Sequence, residues 1–258
     1  MPITSRKFTE MKKNKEKISM LTAYDYMWGN LASESGVDII LVGDSLGMVV
    51  LGYDTTLEVS MEDMISHSAA VRRGAKDSFI IADMPFMSTS VNDDKAVENA
   101  GLLMSKGKAS GVKIEGGAEM CPLIRRIVNA GIPVCAHIGL MPQSVNIQGY
   151  RTQGGSDFEA QKLISDAKAL EEAGVFAIVL EKIEENLTKQ ITESLTIPTI
   201  GIGSGKYCDG QVLVVHDILG LFDKFVPKFV KKYANAREVM ISGISDYVKE
   251  VKDGSFPE

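Results

Sequence analysis

Disulfide material is scarce in this chain. Its 258 residues hold three cysteines, Cys121, Cys135 and Cys208, far apart and with no CxxC pair among them. An odd, scattered set predicts reduced thiols rather than a disulfide framework, and therefore a cytoplasmic protein. Positive charge is in deficit as well: the net charge is −6 and the isoelectric point lies near 5.3. That balance argues against nucleic acid as a partner. No uncharged apolar run reaches the ~20 residues needed to cross a bilayer, so no membrane partner is expected. The first seventeen residues carry Arg6, Lys7, Lys12, Lys13, Lys15 and Lys17 and hold no apolar run to serve as a signal-peptide core, so none is expected there. Glu10 and Glu16 speak against a transit peptide, since such peptides are poor in acids. Internal repeats, low-complexity tracts and linkers are also missing, so residues 1–258 read as one domain with a short N-terminal extension and a C-terminal helical tail.

What is present is core material in short pieces. Hydrophobic residues make up 45% of the chain against 24% charged, enough apolar surface for a substantial core. Apolar runs at residues 18–23, 38–43, 79–82, 111–114, 133–136, 177–180, 199–203 and 211–215 are short and mostly uncharged. They suit parallel strands covered on both faces. Helical periodicity fills residues 61–73, 93–106, 118–130, 157–172 and 184–195 between them. Ser60 and Asn92 stand where N-caps belong, and Gly74, Gly107, Gly131 and Gly174 where C-caps belong. Eight strands alternating with helices in about 250 residues predict an α/β fold of the (β/α)8 TIM-barrel type. Residues 204–210 fit badly, because a parallel crossover normally needs at least ~10–12 residues. Either the last strand is misplaced or the barrel is irregular there.

Active sites of such barrels lie at the carboxyl ends of the strands. The residues there are polar: Asp44 and Ser45 after the second strand, Asp83 after the third, Lys113 and Glu115 on the fourth, His137 on the fifth and Glu181 after the sixth. A single such acid is as readily an N-cap for the next helix. Four at the ends of four different strands, beside a lysine and a histidine, point instead to a hard divalent cation, and carboxylate oxygens suit Mg2+. Lys113 lies two residues before Glu115 and so on the same side of its strand. It reads either as a buried ion pair with Asp83 or Glu115 or as a clamp on an anionic substrate. His137 is a general base or a structural histidine, and His67 and His216 have no ligand-like spacing that would favour zinc. The glycine-rich residues 201–205 are a phosphate loop or a plain turn, and residues 148–155 a lid or an ordinary loop.

Longer stretches carry a resemblance. They are Thr22-Ala-Tyr-Asp-Tyr26, Leu41-Val-Gly-Asp-Ser-Leu-Gly-Met48, Ala69-Ala-Val-Arg-Arg-Gly74, Ala82-Asp-Met-Pro-Phe86 and Val112-Lys-Ile-Glu-Gly-Gly117, followed by Gly139-Leu-Met-Pro-Gln-Ser-Val-Asn146, Gly201-Ile-Gly-Ser-Gly205, Asp209-Gly-Gln211 and His216-Asp217. In this order, from about residue 18 to about 230, the chain resembles the ketopantoate hydroxymethyltransferase family. Departures are small: Met141 stands where the family more often has threonine, and residues 148–150 are one residue short of a common form.

The resemblance implies transfer of a hydroxymethyl group from 5,10-methylenetetrahydrofolate to the α-keto acid 3-methyl-2-oxobutanoate, giving 2-dehydropantoate through a Mg-stabilised enolate. It implies Asp44, Asp83 and Glu115 as the Mg2+ carboxylates, and Asp44, Ser45, Asp83 and Lys113 as contacts to the keto acid. Glu181 would be the proton acceptor, and the protein would be a homo-oligomer; His137, by its place on the fifth strand rather than by the resemblance, is a candidate to support these side chains from behind. Two other readings remain at this stage. One is a metal-dependent lyase of the phosphoenolpyruvate and isocitrate-lyase type, which would be expected to bring a catalytic cysteine or extra arginines in its loops. The other is a non-catalytic binding barrel in which the acids merely cap helices.

Overall fold

The apolar runs pair edge to edge into a cylinder. In a computed structural model, which describes residues 3–222 and 226–257, eight strands form a closed barrel in sequence order. They are β1 (Ile18–Thr22), β2 (Ile39–Val42), β3 (Phe79–Asp83), β4 (Gly111–Glu115), β5 (Val134–Gly139), β6 (Ala177–Glu181), β7 (Thr199–Ile202) and β8 (Gly210–Leu213). Each neighbouring pair from β1 to β8 is parallel. The circle closes where the Ile18 N–H donates to the Asp209 carbonyl at 3.0 Å. The chain divides into two compact units, residues 1–212 and 213–258.

In the first unit the helices are α1 (Arg6–Lys13), α2 (Tyr26–Glu34), α3 (Leu46–Val49), α4 (Met61–Gly74), α5 (Asp93–Ser105), α6 (Cys121–Asn129), α7 (Val145–Gln148), α8 (Asp157–Ala173) and α9 (Glu185–Ser194). Local chemistry sets their ends. Ser60 and Asp63 form a reciprocal capping box at the start of α4, and Asn92 accepts the Asp94 and Lys95 N–H groups at the start of α5. Gly174 closes α8 in the left-handed region at φ +96°, as expected of a C-cap. Gly74 departs from expectation: it is the last residue of α4, and its lack of a side chain serves packing. A Cβ there would stand 2.1 Å from the Tyr26 carbonyl of α2.

Strand periodicity sorts the barrel interior into layers. Ile39 and Leu41, Phe79 and Ile81, Cys135, and Ala177 and Val179 share the inward parity of their strands and build an apolar core. Two residues further on, the same parity brings Asp83, His137 and Glu181 to the inside. The N-terminal end of the barrel is closed by α1, which the basic N-terminal sequence did not suggest. Phe8 is fully buried and packs edge-to-face on Phe79, with ring centroids 5.0 Å apart, and against Phe176 at 6.1 Å. The awkward stretch near residue 204 proves to be a true irregularity. No helix separates β7 from β8, yet Ile200 and Gly201 pair in parallel with Gly210 and Gln211.

In the second unit a short helix, α10 (Val215–Ile218), precedes the long α11 (Ala236–Asp253), none of whose residues is buried. No helix among the described residues is long and apolar enough to cross a membrane.

Candidate active site at the carboxyl ends of the strands

Parallel register aligns the polar residues before any side chain is considered. Asp83 lies opposite Lys113, Lys113 opposite Cys135, and Glu115 opposite His137 on adjoining strands. The side chains meet accordingly. Lys113 Nζ is 3.1 Å from Asp83 Oδ1, 3.9 Å from Glu115 Oε1 and 3.2 Å from His137 Nδ1. His137 reaches both ways, with Nδ1 3.3 Å from Glu115 Oε1 and Nε2 3.3 Å from Glu181 Oε2. Asp44 joins from β2, where its backbone N–H donates to Asp83 Oδ2 at 3.0 Å. Six of the seven residues expected at the site therefore form one connected cluster. Ser45 attaches differently, through a 2.9 Å hydroxyl contact with the fully buried Tyr24.

None of the four acids caps the helix after its strand. Their oxygens face the lysine, the histidine, or backbone and side-chain amides contributed from beyond other strands. The helix-cap explanation therefore does not describe these residues.

The electrostatics follow from burial. Asp44, Asp83, Lys113 and His137 are only 2–5% exposed. Burial, with the charges of Asp83 and Glu115, pushes the Asp44 carboxyl well above the usual carboxylate range. Asp83 is also raised by burial, although Lys113 and the Asp44 N–H oppose the shift. Burial would lower Lys113, but Asp83, Glu115 and Asp44 together hold its ammonium above the ordinary lysine value. For Glu115, burial is outweighed by His137 and Lys113, and its carboxyl sits below the ordinary value. Burial and Lys113 both disfavour a charged His137, but hydrogen bonds to Glu115 and Glu181 prevail and raise it to about 9. His137 thus stands between two carboxylates, with Lys113 Nζ also within reach of its Nδ1.

Three acids crowd a single lysine here, and burial raises the cost of that excess negative charge. Among the described residues, no group of three or more His, Cys, Asp or Glu side chains closes a metal cage. Glu115 Oε2 accepts the Gln143 N–H at 3.1 Å. Gln143 and Tyr24 are contacts that reading strand ends missed. Both lie in motif stretches, but neither carries a charge to mark it, and Gln143 arrives from the loop after β5.

The remaining candidates play other parts. The Ser204 hydroxyl donates to the Leu180 carbonyl at 2.8 Å and accepts the Ile183 N–H at 3.0 Å, so residues 201–205 include a tight turn locked onto β6. The loop 148–155 is pinned where Gln153 bridges to Ile183 and Lys182 Nζ donates to the Tyr150 carbonyl at 2.9 Å. His67 turns its Nδ1 to the Tyr24 carbonyl, and His216 lies in α10 of the second unit. All three cysteines are buried, and burial pushes the thiols of Cys135 and Cys208 up to about 12 and about 11.

Comparison with known proteins is consistent with this geometry. Among solved structures, a phosphonopyruvate hydrolase superposes with a TM-score of 0.66 at 13% identity, covering 100% of this chain and 90% of its own. A 2,3-dimethylmalate lyase of the PEP mutase/isocitrate lyase superfamily gives 0.63 at 15% identity, with the same coverage. At such identities the likeness is one of fold. The sequence likeness is far stronger. The 3-methyl-2-oxobutanoate hydroxymethyltransferase of Clostridium kluyveri is 56% identical over 252 residues, 97% of this chain and 90% of that one. That of Thermosipho africanus is 55% identical over 256 residues, covering 99% and 96%. The family model for ketopantoate hydroxymethyltransferase matches residues 2–258. The chain belongs to the ketopantoate hydroxymethyltransferase family.

Proposed function

We propose that the chain moves a hydroxymethyl group from 5,10-methylenetetrahydrofolate to 3-methyl-2-oxobutanoate, giving 2-dehydropantoate in pantothenate biosynthesis. The observation that carries this reading is the buried Asp44–Asp83–Lys113–Glu115 cluster, joined through His137 to Glu181.

The donor set fits a hard divalent cation. Asp44 and Asp83 offer carboxylate oxygens whose negative charge burial disfavours, and Asp44 is raised furthest. Asp44 and Asp83 would hold such an ion without a closed protein cage, since one or two carboxylates suffice for Mg2+. Glu115 adds a third carboxylate from β4, with Lys113, His137 and the Gln143 N–H in contact with its oxygens. When bound, Mg2+ supplies positive charge where the enolate oxygen of the keto acid develops.

The chain's own residues divide the remaining work. Lys113 places a fixed ammonium beside the keto acid's anionic end, and Ser45, held by Tyr24, offers a hydroxyl to the same substrate. Glu181 takes the C3 proton. Its Oε2 lies 3.3 Å from His137 Nε2, and Oε1 is the oxygen assigned as the base. C3 then forms a bond to the methylene carbon of the folate donor, and water supplies the hydroxyl as the carbon–nitrogen bonds break. Both folate nitrogens leave as N–H, one proton coming from C3 and one from water.

The test is exchange of the C3 hydrogen of 3-methyl-2-oxobutanoate in deuterium oxide, followed by NMR without folate. Glu181→Gln is expected to slow exchange by at least 100-fold, the lower end of what general-base catalysis contributes. Exchange at the unmodified rate would remove Glu181 as the base. A metal-dependent lyase shares the barrel, but none of the three buried, high-pKa thiols offers the reactive cysteine that reading needs. The proposal extends to assembly and location. The exposed apolar side chains of α11 support a homo-oligomer, and three unpaired cysteines support the cytoplasm.

A further inference from the structure

One residue touches three strand ends without belonging to any strand. Gln143 lies in the single turn of 3-10 helix Pro142–Ser144 after β5, where Pro142 stiffens the backbone. Its Nε2 donates to Asp44 Oδ2 at 2.8 Å, beyond β2, and to the Met84 carbonyl at 3.0 Å, beyond β3. Its backbone N–H donates to Glu115 Oε2 at 3.1 Å, at the end of β4. Both carboxamide hydrogens are thereby used, so the side chain has one orientation. The contact fixes the Asp44 carboxylate with Oδ2 toward the amide and Oδ1 free of it. The Met84 bond keeps the amide from following the carboxylate if that group rotates.

We infer that Gln143 is a positioning residue for the metal pair: it orients Asp44, and through Glu115 it ties the loop after β5 to the same cluster. The inference rests on the reading that Asp44 and Asp83 hold the divalent cation. Outer hydrogen bonds of this kind set the direction of a ligand's lone pairs, and their loss typically weakens metal binding by about 10–100-fold. A residue acting only on the fold would lower stability and leave the affinity of the folded fraction unchanged.

The experiment compares the full-length protein with Gln143→Met and Asp44→Asn. Methionine keeps the length of the side chain and removes its donors. The probe is Mn2+, which shares the oxygen preference of Mg2+ and is counted by electron paramagnetic resonance. Each variant's melting temperature is also measured in metal-free buffer and across a Mn2+ series, since binding to the folded state raises it with concentration. The expected result is a dissociation constant about 10-fold or more above wild type for Gln143→Met, with a matching rise in the Mn2+ needed for half-maximal activity. Unchanged or tighter Mn2+ binding by folded Gln143→Met, alongside loss of binding in Asp44→Asn, would overturn the positioning role and leave the metal site standing. Wild-type Mn2+ affinity in folded Asp44→Asn would overturn both, because the metal pair itself would then be wrongly placed.

Discussion

Lys113 shows what a single side chain does in this barrel. It is the cation at the centre of Asp44, Asp83 and Glu115, and it is only 5% exposed. Removing one partner of a buried charge set leaves the others uncompensated, at a cost of about 3–5 kcal/mol. Lys113→Met is therefore expected to destabilise the metal-free protein by about 3 kcal/mol in urea denaturation. Added Mg2+ should restore part of that loss by replacing the missing positive charge. A variant whose stability is unchanged with or without Mg2+ would show that the acids are not repelling one another. Asp217 on α10 is a second residue with a legible burden: burial raises its carboxyl to about 6, and Lys232 only partly opposes the shift. Because the folded state holds this proton more tightly than the unfolded one, stability is greatest below about pH 4 and falls as pH rises through about 6. Asp217→Asn should raise the melting temperature at pH 8 by the equivalent of about 1 kcal/mol and bring no gain near pH 4. A gain of equal size at both values would assign the effect to packing rather than charge.

Elements meet here at distances that side chains would forbid. A Cβ on Gly29 of α2 would lie 2.5 Å from the Val71 carbonyl of α4, and one on Gly74 of α4 would lie 2.1 Å from the Tyr26 carbonyl of α2. Both obstacles are backbone, so neither can turn aside. Gly74→Ala is expected to force the two helices apart and cost about 2 kcal/mol, despite alanine's better helix propensity. A stabilised Gly74→Ala protein in thermal melts would mean that the helices part without cost. In sequence, Gly74 looks like a helix stop. Its actual part depends on a neighbour that no local pattern announces.

At the scale of the whole molecule, two regions carry unlike chemistry. The barrel unit buries its aromatic and aliphatic side chains between α1 and the layer of Asp83, His137 and Glu181, whereas α11 leaves Met240, Ile244, Tyr247, Val248 and Val251 at 41–64% exposure. These fall at spacings of four, three, one and three residues, one face of a helix. An exposed apolar stripe of that kind marks an association surface. Light scattering at micromolar concentration is expected to give a mass several times the 28.0 kDa of the chain, and Ile244→Asp is expected to reduce it. A monomer in both proteins would remove the homo-oligomer.

Read in order, the chain shows which chemistry is available but not how it is wired. Eight apolar runs with helical spacers suffice for the barrel, because period-two strands and capped helices are local properties. The acids after those runs, with Lys113 and His137, are likewise visible, since charge beside a buried strand stands out. The short β7–β8 link looked like an error because crossover length is judged from ordinary units, while pairing is decided by the closed cylinder. Similarly, the basic N-terminal sequence reads only as a short extension, and its closing role shows where Phe8 meets Phe79 and Phe176 at the barrel end. What the sequence by itself determined is the barrel and the identity of its polar mouth. What only the tertiary structure decided is which oxygen faces which cation, and that Gln143, an uncharged loop residue 99 positions from Asp44, holds that acid in place. Strand register is a local rule repeated eight times, but a hydrogen bond across the mouth exists only after the circle has closed.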